Sequence, residues 1–226
     1  MDERVKEQFN SNSSDYDSRR RMLIPLYDEF YNSGIDLLSY SGKSPKVLDI
    51  GAGTGIFSEH LLSRYKNAKL TLIDFAESMM DIAKEKFEKY PDTEFIIDDY
   101  TAYDFGIEKY DIVLSSLSIH HLTPECVKVL YGKIYGMLTE KGEVIIADIS
   151  NSGISEIDEK YDALWTAFVS DNIGGETEFL DRFQISKGLD RPHPVREHIS
   201  WLEEAGFEKI DCVFRYYNFS VFFGEK

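Results

Sequence analysis

Sulfur, positive charge and long apolar runs are all scarce in this sequence. Among 226 residues there are two cysteines, Cys126 and Cys212, whose spacing fits neither a disulfide framework nor a metal site, so we expect both to be buried as small hydrophobic residues. No apolar run approaches the roughly 20 residues of a membrane-spanning helix. The first ten residues, MDERVKEQFN, lack the apolar centre of a signal peptide. These absences predict a cytoplasmic protein with no membrane partner.

Basic residues are outnumbered by acidic ones. The chain has 25 Lys and Arg against 41 Asp and Glu, for a net charge of −16. Such a surface repels phosphate backbones, so nucleic acid is not an expected partner. The acidic composition is still compatible with a local basic patch at the consecutive residues Arg19, Arg20 and Arg21. A hydrophobic fraction of 42% indicates a globular chain. Its length fits one large α/β domain.

Predicted strands and helices alternate in the middle of the chain. The strands are Lys46–Ile50, Leu70–Asp74, Glu94–Ile97, Asp111–Ser115 and Glu143–Asp148, each a short β-branched or aliphatic run. The helices between them are Ile56–Tyr65, Glu77–Tyr90 and Pro124–Leu138, each with an apolar face. A last helix, Val195–Ala205, is followed by an antiparallel pair over Phe207–Phe214 and Tyr216–Phe223. This pattern predicts an α/β fold with a doubly wound, mostly parallel seven-stranded sheet and an antiparallel C-terminal strand.

The predicted organisation is a single domain over residues 1–226. Residues 1–45 are expected to form a helical cap, and 46–149 the ligand-binding core. Residues 150–195 interrupt the alternation with aromatic-rich helical stretches and are interpreted as an inserted lid; 196–226 hold the last helix and the terminal hairpin. The lid aromatics that we expect to wall a bound molecule are Trp165, Phe168, Phe179 and Phe183.

The sequence VLDIGAGTG over residues 47–55 is the strongest local signal. An apolar strand opens into three glycines, Gly51, Gly53 and Gly55, which allow positive φ and let a ligand approach the backbone. The dinucleotide pattern G-x-G-x-x-G fails because Ile56 or Ser58 occupies the last position, and no Gly-Lys-Ser/Thr follows as in a phosphate-binding loop. A ligand across this strand end is therefore expected to be neither a dinucleotide nor a triphosphate.

Acidic residues end the next two predicted strands. Asp74 lies 19 residues after Gly55, where a carboxylate accepts hydrogen bonds from two ribose hydroxyls. The third strand ends in Asp98, Asp99 and Tyr100, where an acid can accept from an adenine amino group. Side chains that can flank the adenine ring are those of Phe75 and Met79.

At these positions the chain resembles the class I S-adenosylmethionine-dependent methyltransferases. VLDIGAGTG resembles the first motif of that family, LTLIDFAESMMDIAKEKF the second and FIIDDYTAYDF the third. YDIVLSSLSIHHL resembles the fourth and GMLTEKGEVIIADI the fifth. One departure is Ala76, where many members have a Ser that can cap the next helix. The resemblance implies a Rossmann-like fold, with S-adenosyl-L-methionine as cofactor and S-adenosyl-L-homocysteine as product.

The resemblance also implies roles for residues along the motifs. The backbone of Gly51, Ala52 and Gly53 would face the methionine part of the cofactor, and the strand end at Ser115 and Ser116 would bind its amino group through a carbonyl. The segment SSDYDSRRR resembles a Tyr-Asp-x-x-Arg stretch of the family, in which Tyr16 and either Arg20 or Arg21 would close over the cofactor carboxylate.

Methyl transfer from a sulfonium needs proximity and alignment above all. A hydroxyl or ammonium acceptor also needs a base, and His120 or His121, which follow the fourth strand, is our candidate, with Tyr16 assisting. The alternative is that one histidine only packs against the loop. No metal is expected, because the His pair has no third ligand at a clear spacing. The expected partner is a small-molecule acceptor, and a homodimer is left open.

Three other functions are compatible with these motifs. One is a carboxy-S-adenosylmethionine synthase of tRNA modification, although Trp201 stands where an arginine for the extra carboxylate is expected. Another is a cofactor-binding protein without catalysis. A third is a nucleic-acid methyltransferase, against which stand the net charge of −16 and the absence of an Asn/Asp-Pro-Pro-Tyr motif.

Overall fold

The computed structural model describes residues 16–226, and the first fifteen residues of the predicted cap lie outside that range. The strands are β1 (Lys46–Ile50), β2 (Lys69–Asp74), β3 (Glu94–Ile97), β4 (Tyr110–Ser116), β5 (Leu138–Asn151), β6 (His193–Pro194), β7 (Glu208–Tyr216) and β8 (Phe219–Glu225). The helices are α1 (Tyr16–Leu23), α2 (Tyr27–Ile35), α3 (Ile56–Arg64), α4 (Glu77–Lys86), α5 (Pro124–Met137), α6 (Ser155–Asn172), α7 (Thr177–Lys187) and α8 (Val195–Ala205). A 3₁₀ turn covers Ile119–His121.

One mixed sheet forms the centre of the molecule. Its strand order is β3-β2-β1-β4-β5-β8-β7, and the short β6 pairs with the end of β5. The pairs among β1 to β5 are parallel, whereas β8 runs antiparallel to both β5 and β7. The predicted doubly wound sheet with an antiparallel C-terminal strand is confirmed. Its parallel arrangement brings the carboxyl ends of β1, β2 and β4 to one edge, as the site requires.

Each face of the sheet buries its own hydrophobic cluster. On one face, residues such as Phe57, Leu61 and Met80 pack with aromatic residues of α2 and of the segment after β5. On the other face, Leu130 and Leu202 come from α5 and α8. Because both faces are covered, the central strands are apolar throughout, as the continuous runs in the sequence predict.

The element boundaries differ most from the predicted ones in three places, and by three residues or fewer elsewhere. Helix α4 ends at Lys86, four residues before the predicted end at Tyr90. Strand β5 begins at Leu138, directly after α5. The hairpin between β7 and β8 turns at residues 217 and 218, where Tyr217 takes a φ of 53°. These shifts leave the carboxyl edge of the sheet unchanged.

The two cysteines are not the buried pair that the sequence predicts. Cys126 is exposed and Cys212 is half-buried. Cys126 lies in the first turn of α5, where the Thr123 side chain accepts a hydrogen bond from its backbone N–H, so its side chain points away from the core.

Helices α1, α6 and α7 pack together beside the carboxyl edge of the sheet. The Trp165 indole N–H of α6 donates a hydrogen bond to the carbonyl of Leu23 over 2.7 Å. Arg19 of α1 forms an ion pair with Glu176 over 3.0 Å and lies over the ring of Phe179 in α7. The predicted cap and lid segments are therefore in contact. Among the described helices, none combines the length and hydropathy needed to cross a bilayer.

Candidate active site

A cavity of about 480 Å³ opens at the carboxyl ends of β1, β2 and β4. Nine of the predicted site residues line it: Tyr16, Gly51, Ala52, Gly53, Asp74, Phe75, Met79, Ser116 and His121. Five further residues complete its wall: Tyr31, Thr54, Ile56, Leu117 and Ser118. The structure therefore brings together residues from the first, second and fourth motifs and from the segment SSDYDSRRR, at the edge where the parallel strands end.

The glycine loop uses its own N–H groups within the protein. Gly51 and Ala52 both donate to the carbonyl of Ile73, over 2.9 and 3.1 Å. Gly51 has a φ of 65°, and a Cβ there would lie 2.0 Å from the Ser118 hydroxyl. Gly53 has a φ of 55°, and a Cβ there would meet nothing within 4 Å. The loop thus presents bare Cα atoms to the cavity instead of a nest of N–H donors, which explains why it departs from a phosphate-binding loop.

Asp74 ends β2 and holds the loop with both carboxylate oxygens. One oxygen accepts from the Gly53 N–H over 2.9 Å and the other from the Ala76 N–H over 2.8 Å. Burial raises the pKa of Asp74. The backbone N–H of Phe75 also interacts with this carboxylate. Since two carboxylate oxygens offer four lone-pair positions, one acceptor position stays available at this residue of the cavity wall. Ala76 itself offers no capping side chain to α4, as the sequence predicts.

Asp49 lies beneath the glycine loop and was not among the predicted site residues. Its side chain is fully buried and accepts a hydrogen bond from the Ser58 hydroxyl over 2.7 Å. Its other oxygen has no hydrogen-bond partner among the residues that the structure describes. Burial raises the pKa of Asp49 from 3.8 to about 7. The acid that closes the apolar strand in the motif was the signal that could have identified it.

Of the five residues predicted to surround the adenine ring, two line the cavity and three do not. Phe75 and Met79 line the cavity. Asp98 is exposed, and Asp99 accepts hydrogen bonds from the backbone N–H and the hydroxyl of Thr101. Tyr100 is fully buried, and its hydroxyl lies 3.0 Å from that of Ser118. These last three residues lie beside the cavity and do not line it.

Helix α1 closes over the loop. The Thr54 hydroxyl donates to Asp17 over 2.5 Å, and the Lys86 ammonium donates to the second Asp17 oxygen over 2.6 Å. Tyr16 lines the cavity, and the Arg20 guanidinium stacks on its ring at 3.9 Å. Arg21 instead pairs with Asp28 at the surface.

The two arginines therefore differ in environment. Arg20 Nε is buried and has no hydrogen-bond partner among the described residues, and desolvation lowers the pKa of its guanidinium. Arg21 donates to both oxygens of Asp28 over 2.7 Å. Of the pair, only Arg20 is placed behind a residue of the cavity wall.

His120 is buried between two carboxylates. Its Nδ1 donates to Asp148 over 2.5 Å, and its Nε2 lies 3.3 Å from Asp190. Burial by itself lowers the pKa of His120, but the charges of Asp148 and Asp190 and their hydrogen bonds raise it to about 10. The ring is therefore an imidazolium at neutral pH, and it does not line the cavity.

His121 does line the cavity, and its ring centroid lies 4.1 Å from that of His120. Burial, together with the charge on His120, lowers the pKa of His121 to about 3. Its ring is therefore neutral at pH 7, and a ring with so low a pKa is a weak base. The two histidines, which the sequence left equivalent, thus differ in charge: His120 is positive and His121 is neutral.

The end of β4 contributes one residue of its predicted pair. The Ser115 hydroxyl donates to the carbonyl of Ile50 and so faces the neighbouring strand, whereas Ser116 lines the cavity. Tyr31, from α2, was not predicted. It lines the cavity, forms a hydrogen bond with Ser116 and stacks on His60 at 4.9 Å.

The predicted lid aromatics pack between elements. Trp165, Phe179 and Phe183 belong to the buried cluster on the first face of the sheet, and Phe168 packs against it. Trp165 meets the rings of Phe183 and Phe219 edge to face, at 4.9 and 5.1 Å. None of the four lines the described cavity, so a wall for the acceptor stays a prediction.

Comparison with known proteins agrees with this geometry. Residues 47–142 match a family model described as a methyltransferase domain. A carboxy-S-adenosyl-L-methionine synthase of Nautilia profundicola is 26% identical over 216 residues, which are 95% of this chain and 92% of that protein. Malonyl-[acyl-carrier protein] O-methyltransferase 1 of Ilyobacter polytropus is 28% identical over 163 residues, 71% of this chain and 58% of that protein.

Solved structures share the fold. An O-methyltransferase family 2 protein of Planctomyces limnophilus, solved with apigenin, matches all of this chain with a TM-score of 0.67 at 21% identity. Human N-acetylserotonin methyltransferase, solved with S-adenosylmethionine, matches 87% of this chain with a TM-score of 0.58 at 15% identity. This chain spans 62% and 51% of their respective lengths.

Proposed function

Because the chain carries a class I S-adenosylmethionine-dependent methyltransferase domain, we propose that it transfers the methyl group of S-adenosyl-L-methionine to a small-molecule acceptor. The resemblance in the sequence motifs is confirmed by the family match and by the fold. The chain is thus an enzyme whose cofactor is S-adenosyl-L-methionine. Its acceptor, its cytoplasmic location and a homodimer remain predictions.

The observation that carries the proposal is the position of Asp74 beside the open glycine loop. Its carboxylate already orders Gly53 and Ala76, lines the cavity and keeps one acceptor position, which can accept a hydrogen bond from a ribose hydroxyl of the cofactor. Gly53, which has empty space where a Cβ would lie, leaves room for the methionine part. Phe75 and Met79 supply apolar surface for the adenine ring.

For the cofactor carboxylate we assign Arg20 and not Arg21. A buried guanidinium with an unsatisfied N–H gains most from an anionic partner, because an unpaired buried donor loses its full desolvation energy. Arg20 lies directly behind Tyr16, so a small movement of the tyrosine ring brings the two groups together. Arg21 is already satisfied by Asp28.

For the acceptor we assign His121 and Tyr16 as the polar groups within reach. Both line the cavity, whereas His120 is held between Asp148 and Asp190. His120 then acts as a positioning residue that fixes the orientation of His121. The methyl group moves in line from sulfur to the acceptor atom, and alignment by the cavity wall supplies most of the acceleration.

Two measurements on the full chain test this function. Calorimetry should detect 1:1 binding of S-adenosylmethionine, and metabolite pools incubated with methyl-labelled cofactor should yield a labelled product together with S-adenosylhomocysteine. Absence of cofactor binding would refute the proposal. Binding without transfer to any pool would favour a cofactor-binding protein without catalysis.

A second candidate is a carboxy-S-adenosylmethionine synthase, favoured by a relative of that name that aligns over 95% of the chain. Against it, the described residues that line the cavity include no Lys or Arg for an extra carboxylate. Trp201, in the place of the expected arginine, packs against His193 and His198 away from the cavity. Mass spectrometry of the cofactor that copurifies with the protein separates the two, because a carboxylated species would support the synthase.

A further inference from the structure

Three potential metal ligands meet where the lid segment reaches the core. Asp190 Oδ1 lies 3.3 Å from His120 Nε2 and 3.8 Å from His121 Nδ1. The three ligand atoms all lie within 4.8 Å of one another. Their side chains are between 4% and 11% exposed. The His pair alone gives no metal spacing in the sequence, and the third ligand arrives from a position almost 70 residues later.

The backbone holds this third ligand in place. The N–H of Arg191, next to Asp190, donates to the carbonyl of His120 over 2.9 Å. The carboxylate therefore reaches the histidines from a segment that is itself tied to them. Ligands that are already ordered lose little entropy when an ion binds.

Asp148 provides the outer support that metal-binding histidines have. One oxygen accepts from His120 Nδ1 over 2.5 Å and the other from the His120 backbone N–H over 3.0 Å. Such a carboxylate fixes the ring and directs the opposite nitrogen toward the ion. Here that nitrogen, Nε2, is the one that faces Asp190.

We propose that His120, His121 and Asp190 bind one divalent transition-metal ion of the zinc, iron or manganese type beside the cofactor cavity. Two imidazoles and one carboxylate suit these ions and leave open coordination positions. The ion takes the place of the proton on His120 Nε2, and that proton goes to solvent. Asp148 keeps its hydrogen bond to Nδ1 throughout.

The acceptor class follows from the position and the charge of the ion, and this step rests on the proposed function. Since His121 lines the cavity, an ion bound to it would lie at the cavity wall, next to the space proposed for the acceptor. Of the three ligands only Asp190 is anionic, so a divalent ion with this ligand set keeps a net charge of +1. An acceptor bound through an anionic oxygen, such as a phenolate, enolate or carboxylate, neutralises the remaining charge. For a phenol or enol acceptor, the ion would lower the pKa of the bound hydroxyl and its proton would go to solvent, so no basic side chain is needed.

The test is a titration of the chelator-treated full chain with Zn²⁺ and with Co²⁺. The background variant is Cys126→Ser, because the exposed Cys126 thiol can bind zinc by itself. We expect one equivalent of metal by calorimetry, and for Co²⁺ a visible absorption band from nitrogen and oxygen ligation. Asp190→Asn and His121→Asn should each lower the affinity at least tenfold. Asp181→Asn, an exposed acid of the same lid segment, should leave it unchanged.

Each outcome decides the proposal. Absence of 1:1 binding for both ions overturns it, as does binding that both ligand variants leave intact while the melting temperature shows that they are folded. S-adenosylmethionine binding is measured on the same samples. Cofactor binding without metal binding refutes the metal site and keeps the proposed function, and metal binding without cofactor binding does the reverse.

Discussion

At the scale of single residues, Asp74 has two tasks that a substitution can separate. Asp74→Ala removes both the support of the glycine loop and the predicted ribose acceptor. A hydrogen bond to a charged group is worth about 1.5–3 kcal/mol, and about 1.4 kcal/mol corresponds to a factor of ten. We therefore expect the Kd for S-adenosylmethionine to rise by roughly 100-fold or more, measured by calorimetry.

The matched control for Asp74 is Asp92→Ala, an exposed acid on the turn before β3. It should bind the cofactor as the unmodified chain does. Asp74→Asn keeps one acceptor oxygen and should fall between the two. If Asp74→Ala binds with unchanged affinity, the ribose assignment is wrong.

Asp49 predicts a measurable pH dependence of stability. Burial raises the pKa of its carboxyl from 3.8 to about 7, so over that interval the folded state keeps a proton that the unfolded state has lost. The free energy of unfolding then falls as pH rises, by about 1.4 kcal/mol per pH unit, and levels off above about pH 7. The stabilisation by protonated Asp49 is fully present below about pH 3.8, the pKa in the unfolded state. It is lost as the pH rises through about 7, the pKa in the folded state.

Asp49→Asn removes that titration and keeps an oxygen for Ser58. In denaturant unfolding without cofactor, the unmodified chain should lose about 2 kcal/mol relative to the variant between about pH 5.5 and about pH 8.5. A surface variant, Asp98→Asn, should follow the unmodified chain at every pH. Parallel curves for Asp49→Asn and the unmodified chain would contradict the raised pKa.

The sequence predicted which single residues line the cavity better than it predicted the partners of those residues. Asp74, Gly53 and Met79 were predicted from strand ends and spacing, and all three line the cavity. Tyr31 was missed because nothing in α2 distinguishes a tyrosine that faces a cavity from one that faces the core. The different charge states of His120 and His121 depend on Asp148 and Asp190, which approach through tertiary folding, so no local pattern encodes them.

At the scale of elements, α1 acts as a clamp on the glycine loop through Asp17. Asp17→Asn weakens the contacts with Thr54 and Lys86. The Asp17 side chain is 39% exposed, so its ion pair is worth at most about 1 kcal/mol. We expect a roughly two- to fivefold faster release of S-adenosylmethionine in stopped-flow measurements, with little change in melting temperature.

Asp28→Asn is the control for this clamp. It breaks the surface pair with Arg21 and contacts no residue of the loop in the described structure. Its release rate should equal that of the unmodified chain. Equal rates in both variants would mean that α1 does not retain the cofactor.

Helix α6 is attached to α1 through Trp165. Its indole is 6% exposed, donates to Leu23 and packs against two aromatic rings. Trp165→Ala should cost about 3–5 kcal/mol of unfolding free energy, because a buried aromatic leaves a cavity. Leu164→Ala, at an exposed position of the same helix, should cost far less. Similar losses in denaturant unfolding would show that Trp165 is not an anchor.

The helices and strands were predicted closely where the hydrophobic periodicity agrees with the Pro and Gly residues that begin or end an element. Val195–Ala205 was predicted with both ends correct, because Pro194 precedes it and Gly206 ends it with a φ of 106°. The end of α4 was placed late because Phe87 continues the apolar face although it already caps the helix. The packing of α6 and α7 against α1 was not predictable, since aromatic residues at helical spacing fit a core and a lid equally well.

At the scale of the whole molecule, the order of the sheet follows from the alternation of strands and helices. Right-handed crossovers place successive parallel strands side by side and reverse direction at β1 and β4. The ligand site at that reversal is then a property of the fold, and the motifs only select the ligand. Contacts between the cap and lid segments, such as the ion pair of Arg19 with Glu176, could not be predicted from the sequence, because they depend on tertiary folding.

The charge of the whole molecule leads to the last prediction, which concerns nucleic acid. The net charge is −16, and the one run of arginines that left a basic patch open is occupied within the protein. Arg19 pairs with Glu176, Arg20 is stacked on Tyr16, and Arg21 pairs with Asp28. A phosphate backbone thus meets repulsion without a local patch to offset it.

Fluorescence anisotropy with mixed tRNA and with duplex DNA should show no binding at about 50 mM salt, where electrostatic attraction is strongest. The variant pair Asp28→Asn and Glu176→Gln removes the acidic partners of two arginines and should bind more strongly than the unmodified chain. Micromolar binding by the unmodified chain would contradict this prediction and would favour a nucleic-acid acceptor over the proposed small molecule.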